Sequence, residues 1–254
     1  MAFDIVDLRS FYASSLGQSA SNILSDCIRA RWASCVGQSV LGIGYASPFL
    51  NPLKSEALRT LSFMPSNMGV VNWPSTGLSS SVLVDTDALP LPDASIDRIL
   101  LIHALENCEH KRDLLDEIWR VLTPGGRLIV IAPSRHGWWA HYEHTPFGQG
   151  QPFSKSQLRE LLREALFSPL HSGEALYLPP ASGQIWLKSA KTIETIGQRL
   201  SLPMAGVHVV EATKQLYRPI LARKPSRFRL PALSPALVSR RESSGLHSRP
   251  PRQH

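Results

Sequence analysis

His103 stands in the segment LIHALE, directly after the apolar run RILLI. An imidazole titrates near neutral pH, so it can take a proton from a reacting group as a general base. The same position equally suits a histidine that packs or caps locally. A second concentration of chemistry lies between Pro133 and Pro152. There Trp138, Trp139, Tyr142 and Phe147 are interleaved with His136, His141 and His144. Such density in a glycine-containing loop predicts a lid or substrate-contact surface, with Trp138, Trp139, Tyr142 and His144 as the candidates. Tryptophans that close the edge of the core beneath the loop are the competing reading. His141, Glu143 and His144 are metal-ligand types, but His-x-x-His has no second cluster to complete it, so no metal is expected. Cys27, Cys35 and Cys108 are odd in number and share no CxxC spacing, which predicts reduced thiols in a cytoplasmic protein.

Apolar runs and helical patterns alternate along the chain. VLGIG, LRTLSFM, SVLVDT, RILLIH and RLIVIAP read as strands, with EALYLPP and GVHVVEATKQLY as two more. The first runs into a glycine-containing turn, VLGIGYASPFL. Residues 4–36 read as helical, with Val6, Leu8, Phe11 and Tyr12 on one apolar face and Ile23, Leu24, Cys27, Ile28 and Trp32 on another. LLDEIWRVL is an amphipathic helix. SKSQLRELLREALF is another, with Ser154 as its N-cap. A further helix is expected near Ile185 to Leu200. Strand–helix alternation predicts a mostly parallel sheet with helices on both faces. Ligands then bind beyond the carboxyl ends of the strands.

The 254 residues are 43% hydrophobic, enough for one α/β domain with a sizeable core. From Arg223 onward eight basic residues face only Glu242, which accounts for the formal +7 and leaves residues 1–222 balanced. Residues 223–254 also hold five prolines and read as a disordered basic tail, able to make weak contacts with nucleic acid or an anionic surface. The folded part carries no net basic footprint. No apolar stretch approaches the roughly 20 residues of a membrane span, and MAFDIVDLRS lacks the pattern of a signal peptide.

The order VLGIGYASPFL, then SSVLVDTDALPLPDASIDRILLIHALE, then a helix, then RVLTPGGRLIVIAP resembles the class I S-adenosylmethionine-dependent methyltransferases. The match is to the small-molecule, type 11-like group. The resemblance implies a seven-stranded, mostly parallel Rossmann-like sheet in residues 1–222, with N-terminal helices over 1–38. It implies S-adenosylmethionine as cofactor, a small-molecule methyl acceptor and in-line transfer. A non-catalytic methyltransferase-like binding or partner protein is the alternative.

The family's turn of an acid and three glycines corresponds here to Gly42, Gly44, Ala46 and Pro48, so one of four positions matches. Gly42, Gly44 and Tyr45 would offer backbone to the cofactor. Ser47-Pro48 is expected to open the next helix as cap and first residue. Met64 falls where the family places the acid that grips the ribose hydroxyls, and would pack on the adenosine instead. Asp85 matches the carboxylate that meets the adenine amino group, with Thr86 adding backbone. Asp97 and the LTPGGR turn are structural in the family. His103 would face the transferring methyl. The Asn/Asp-Pro-Pro-aromatic signature of DNA amino-methyltransferases is absent, as is the Pro-Cys nucleophile of cytosine C5 chemistry.

Overall fold

The computed structural model describes residues 4–216 except Ser182, Gln184, Ile185, Leu187, Lys188 and Ser201. The tail expected at 223–254 lies outside the described residues. Seven strands form one sheet: β1 (Ser39–Gly44), β2 (Arg59–Pro65), β3 (Ser81–Val84), β4 (Ile96–Ile102), β5 (Leu122–Pro133), β6 (Phe167–Ala175) and β7 (Val207–Lys214), in the order β3-β2-β1-β4-β5-β7-β6. The β3-β2-β1-β4-β5 ladder is parallel, and β7 runs antiparallel to both of its neighbours. The α/β sheet expected from the sequence is therefore present.

The helices are α1 (Ile5–Ala13), α2 (Ser15–Arg31), α3 (Ser47–Lys54), α4 (Lys111–Val121), α5 (Lys155–Glu164) and α6 (Ala190–Leu200). Successive side chains of a strand point to opposite faces, and both faces of the central strands are covered. Val40, Leu100 and Ile102 join the core under α1, α2 and α3, with Leu24, Phe49 and Leu50. Leu41, Ile43, Ile99 and Leu101 join the core under α4 and α5, with Leu114, Ile118, Leu158 and Leu162. That double burial makes β1 and β4 continuous apolar runs rather than alternating ones.

Several boundaries differ from the sequence reading. The N-terminal helical stretch breaks at Ser14, whose extended backbone ends α1 while its hydroxyl accepts from the Gly17 N–H to open α2. Ala46, not Ser47, takes the cap position of α3, and its carbonyl receives the Phe49 and Leu50 N–H groups. α5 has the expected N-cap at Ser154, which forms a capping box with Gln157, but stops early, because Leu166 adopts φ +60° and Phe167 already starts β6. The sixth strand consequently lies mostly before EALYLPP and shares only Glu174 and Ala175 with it. Leu176, at φ +62°, ends the strand, and the Leu176 and Tyr177 N–H groups bond the Glu194 carboxylate instead of a ladder. LTPGGR is not a free turn. It forms the irregular start of β5, where pairing jumps from Ile96↔Leu122 to Arg98↔Arg127. Ile185 lies outside the described residues, and the helix expected there is described as α6 over 190–200.

Two acids secure β4 and the loop that leads into it. Asp97 accepts from the Ser39 N–H at 2.9 Å and from Thr123 Oγ1 at 3.2 Å, tying β1 to β5. Glu117 accepts from the Leu89 N–H at 2.9 Å. Arg120 donates to Glu117, to Asp93 and to the Leu89 and Leu91 carbonyls, so α4 clamps the LPLPD loop. Hydrogen bonds from Arg120 hold the Glu117 carboxyl below its ordinary range against the opposing effect of desolvation, with the Leu89 N–H assisting. A carboxylate depressed on folding contributes stability that is complete above its unfolded pKa and is lost as pH falls through the folded one. We therefore expect amide-exchange protection of Leu89 to be full above pH about 4.5 and to decline in more acid solution. Glu117→Gln should lower that protection near neutral pH and remove its acid dependence. Protection that ignores pH in the unsubstituted chain would contradict the clamp.

Candidate active site

The parallel register brings four strand ends to one edge of the sheet. Gly44 pairs with Ile102, so His103 follows directly beside the β1 turn. Met64 pairs with Leu83 and Pro65 with Val84, so Asp85 and Thr86 emerge next to the residues that follow β2. A cavity of about 290 Å³ opens at this edge, lined by Ser66, Asn67, Thr86, His103, Asn107 and Cys108 among others. Its walls come from the loops after β2, β3 and β4.

Gly44 has φ +89°, and a Cβ there would lie 2.0 Å from the Ile102 carbonyl oxygen. No other residue fits the turn. Gly42 is placed differently from the expectation. It is buried beneath α3, where a Cβ would meet Ala46 Cβ at 2.5 Å and Leu50 Cδ1 at 2.8 Å, and it is not among the residues lining this cavity. Met64 is also fully buried, and its sulfur accepts from the Val71 N–H at 3.4 Å. Asp85 is exposed at the end of β3, and among the described residues no side-chain hydrogen bond occupies its carboxylate. Thr86 is half-buried on the cavity wall, with Oγ1 3.9 Å from Cys108 Sγ.

His103 is 1% exposed and takes φ +58°. That backbone costs an L-residue roughly 1–2 kcal/mol, and such strain concentrates at functional sites. Tyr12 of α1 lies over the edge, with its hydroxyl 2.7 Å from His103 Nε2. Its ring stacks on Tyr45 at 5.5 Å between centroids, and Phe147 packs against the imidazole at 4.9 Å. Burial pushes the Tyr12 phenol well above its ordinary pKa, and Tyr45 and Glu106 add to the shift. On the other ring nitrogen, His103 Nδ1 is 3.4 Å from Glu106 Oε1. That separation is in ion-pair range but longer than a formed hydrogen bond. Both Glu106 oxygens are buried without a donor.

The two roles weighed for the aromatic loop divide between its residues. Trp139 is fully buried, donates to the Leu178 carbonyl at 2.7 Å and packs on Phe147, so it closes the core. Trp138, Tyr142 and His144 are exposed. Tyr142 and His144 border a groove of about 890 Å³ against Asp7 and Phe11 of α1. No group of three or more metal-ligating side chains occurs among the described residues. Tyr12 and Glu106 are the residues that sequence reasoning missed. Tyr12 reads as one more apolar position on α1, while Glu106 carried a usable signal as an acid three residues beyond His103.

Comparison with known proteins agrees with this architecture. The methyltransferase-domain family model matches residues 35–130. The C-methyltransferase UbiE of ubiquinone and menaquinone biosynthesis from Pseudoalteromonas translucida is 30% identical over 108 residues, covering 42% of this chain and 39% of that protein. UbiE from Ectopseudomonas mendocina is 43% identical over 56 residues, 22% of each chain. The chain thus spans between about a fifth and two-fifths of the curated relatives it matches. Among solved structures, the cyclase SpnF aligns with TM-score 0.58 and 19% identity, covering 85% of this chain and 98% of that one. An S-adenosylmethionine-dependent methyltransferase from Mesorhizobium loti aligns with TM-score 0.53 and 16% identity, covering 74% and 96%. The match to the methyltransferase-domain family model falls in the same segment as the glycine turn and the β1-to-β5 strand order, and the fold is the one shared with these solved structures.

Proposed function

We propose that the chain binds S-adenosylmethionine at the edge formed by β1 to β4 and transfers its methyl group in line to a small-molecule acceptor. The observation that carries this reading is the cavity between the ends of β2, β3 and β4, with Asp85 exposed beside it and His103 in its wall. The residues present fit the adenosine half of the cofactor. Asp85 supplies an acceptor for an amino group, and Ser66, Asn67, Thr86 and Asn107 supply further polar atoms. A cavity of about 290 Å³ sits at the lower end of small-molecule sites. The other half of the edge is occupied by Tyr12 stacked on Tyr45. Tyr12 therefore has to leave its place for the remainder of the cofactor and the acceptor to enter. Once bound, the cofactor supplies an electrophilic methyl carbon. The chain holds it in place, excludes water with Phe147 and Trp139, and offers His103 as a base.

A methyltransferase-like protein that binds without catalysis is the second reading. Two observations favour it: glycine and methionine stand where the family has acids, and Tyr12 fills part of the edge. The fold by itself leaves the reaction open, since it is shared with the cyclase SpnF.

Isothermal titration with S-adenosylhomocysteine tests the binding, and turnover of methyl-labelled cofactor in cell extract tests the transfer. Saturable binding with label transfer is expected. Binding without transfer would select the second reading, and no binding at millimolar ligand would contradict both the cofactor and the site. Asp85→Ala should weaken the binding by about 1–3 kcal/mol, the cost of leaving a buried amino group unpaired. Unchanged affinity would remove Asp85 from the site. Met64→Leu, a volume-conserving change beneath the edge, should leave affinity within about twofold. A large loss would mean that the sulfur reaches the nucleoside.

A further inference from the structure

Three buried side chains, Tyr12 from α1 and His103 and Glu106 from the segment after β4, meet beside the cavity, and the function proposed above uses one of them. We infer that Glu106 and Tyr12 are positioning residues of His103. Glu106 keeps the imidazole proton on Nδ1, and the Tyr12 hydroxyl occupies the Nε2 lone pair that receives the acceptor's proton during transfer.

A neutral imidazole has one donor and one acceptor nitrogen, and an ionised carboxylate only accepts. Nδ1 faces Glu106 Oε1 at 3.4 Å, so its proton is the donor that lies nearest to that carboxylate. With the proton on Nε2 instead, an Nδ1 lone pair would face the buried carboxylate and both Glu106 oxygens would lack any donor. Unpaired charge in the interior is costly. With the proton on Nδ1, Nε2 is an acceptor, and the Tyr12 O–H at 2.7 Å donates to it. The raised pKa of the phenol agrees, because Tyr12 stays protonated. The positive φ of His103 holds the ring between α1 and Phe147, where Nε2 meets Tyr12 while Nδ1 turns to Glu106.

This arrangement sets what the acceptor must bring. As a bond forms from the acceptor atom to the methyl carbon and the sulfur–carbon bond breaks, the acceptor's proton passes to Nε2. The imidazolium charge is then met by Glu106. The methylated atom therefore carries a proton beforehand, as in a hydroxyl or an N–H, and a tertiary amine is not served by it. Tyr12 holds the position of that hydroxyl until the acceptor displaces it.

The transfer step rests on the proposed function, whereas the tautomer does not, and it can be read with no cofactor present. Ring-nitrogen NMR of the full-length 15N-labelled chain near pH 7, with His103 assigned from a His103→Gln sample, distinguishes the two tautomers. The proton is expected on Nδ1, with Nε2 bare and hydrogen-bonded. Glu106→Leu should move it to Nε2, and Tyr12→Phe should leave it on Nδ1. A proton on Nε2 in the unsubstituted chain overturns the assignment, as would a Glu106→Leu ring that stays in the Nδ1 form. The spectrum of the unsubstituted chain decides the tautomer whether or not Glu106→Leu folds, and Glu106→Ala, which also removes the carboxylate, serves as the second variant: a ring that keeps the Nδ1 form there overturns the role of Glu106. If the tautomer holds and S-adenosylhomocysteine does not bind, the proposed function fails and the positioning of His103 stands.

Discussion

The close approach of Gly44 to the Ile102 carbonyl is the constraint on which the site depends. The 2.0 Å between a notional Cβ and that oxygen admits only glycine. It lets β1 end flush with β4, so the β1 turn and His103 become neighbours across a single pair of strands. The parallel pairing of β2 and β3 then carries Asp85 and Thr86 to the same edge. Asp85, Thr86 and His103 are thus placed at the site by register. Asp97 and the Glu117–Arg120 clamp secure the chain on either side of it.

The N-terminal helix gives this edge its particular character. α1 covers the strand ends, its Ile5 N–H bonds the Met68 carbonyl after β2, and Tyr12 reaches down to His103. Aromatic rings from α1 and from the loop after β5 flank the imidazole, and Tyr45 of the β1 turn stacks on the first of them. Ser14 separates α1 from α2 with an extended residue, so α1 is a short element joined to the rest of its layer at one corner. The cover and the base are therefore linked by one hydrogen bond.

Much of the fold was legible in the sequence because buried parallel strands are written as continuous apolar runs, as in SVLGIG and RILLI. The amphipathic α4 and the N-cap at Ser154 were equally plain. The boundaries that shifted are those set by single residues in unusual backbone states. Leu166 and Leu176 take positive φ for tertiary reasons, since Leu176 turns its N–H toward Glu194, and leucine carries no local signal for that. The site was legible only where chemistry stays close in sequence. Asp85, Thr86 and His103 were identified as candidates and end at one edge. Gly42 and Met64 were placed there by analogy, and packing beneath α3 and against the Val71 amide keeps both below it. Tyr12 pairs with a residue 91 positions away, which no local pattern encodes.

A crystal structure of the full chain with S-adenosylhomocysteine tests the account most directly. The adenosine is expected in the cavity between Asp85 and Asn107, the amino acid portion along Gly44 and Tyr45, and the Tyr12 hydroxyl drawn away from His103. A nucleoside bound elsewhere, or one seated with the Tyr12–His103 bond intact and no room beside it, would contradict the site and the role given to α1.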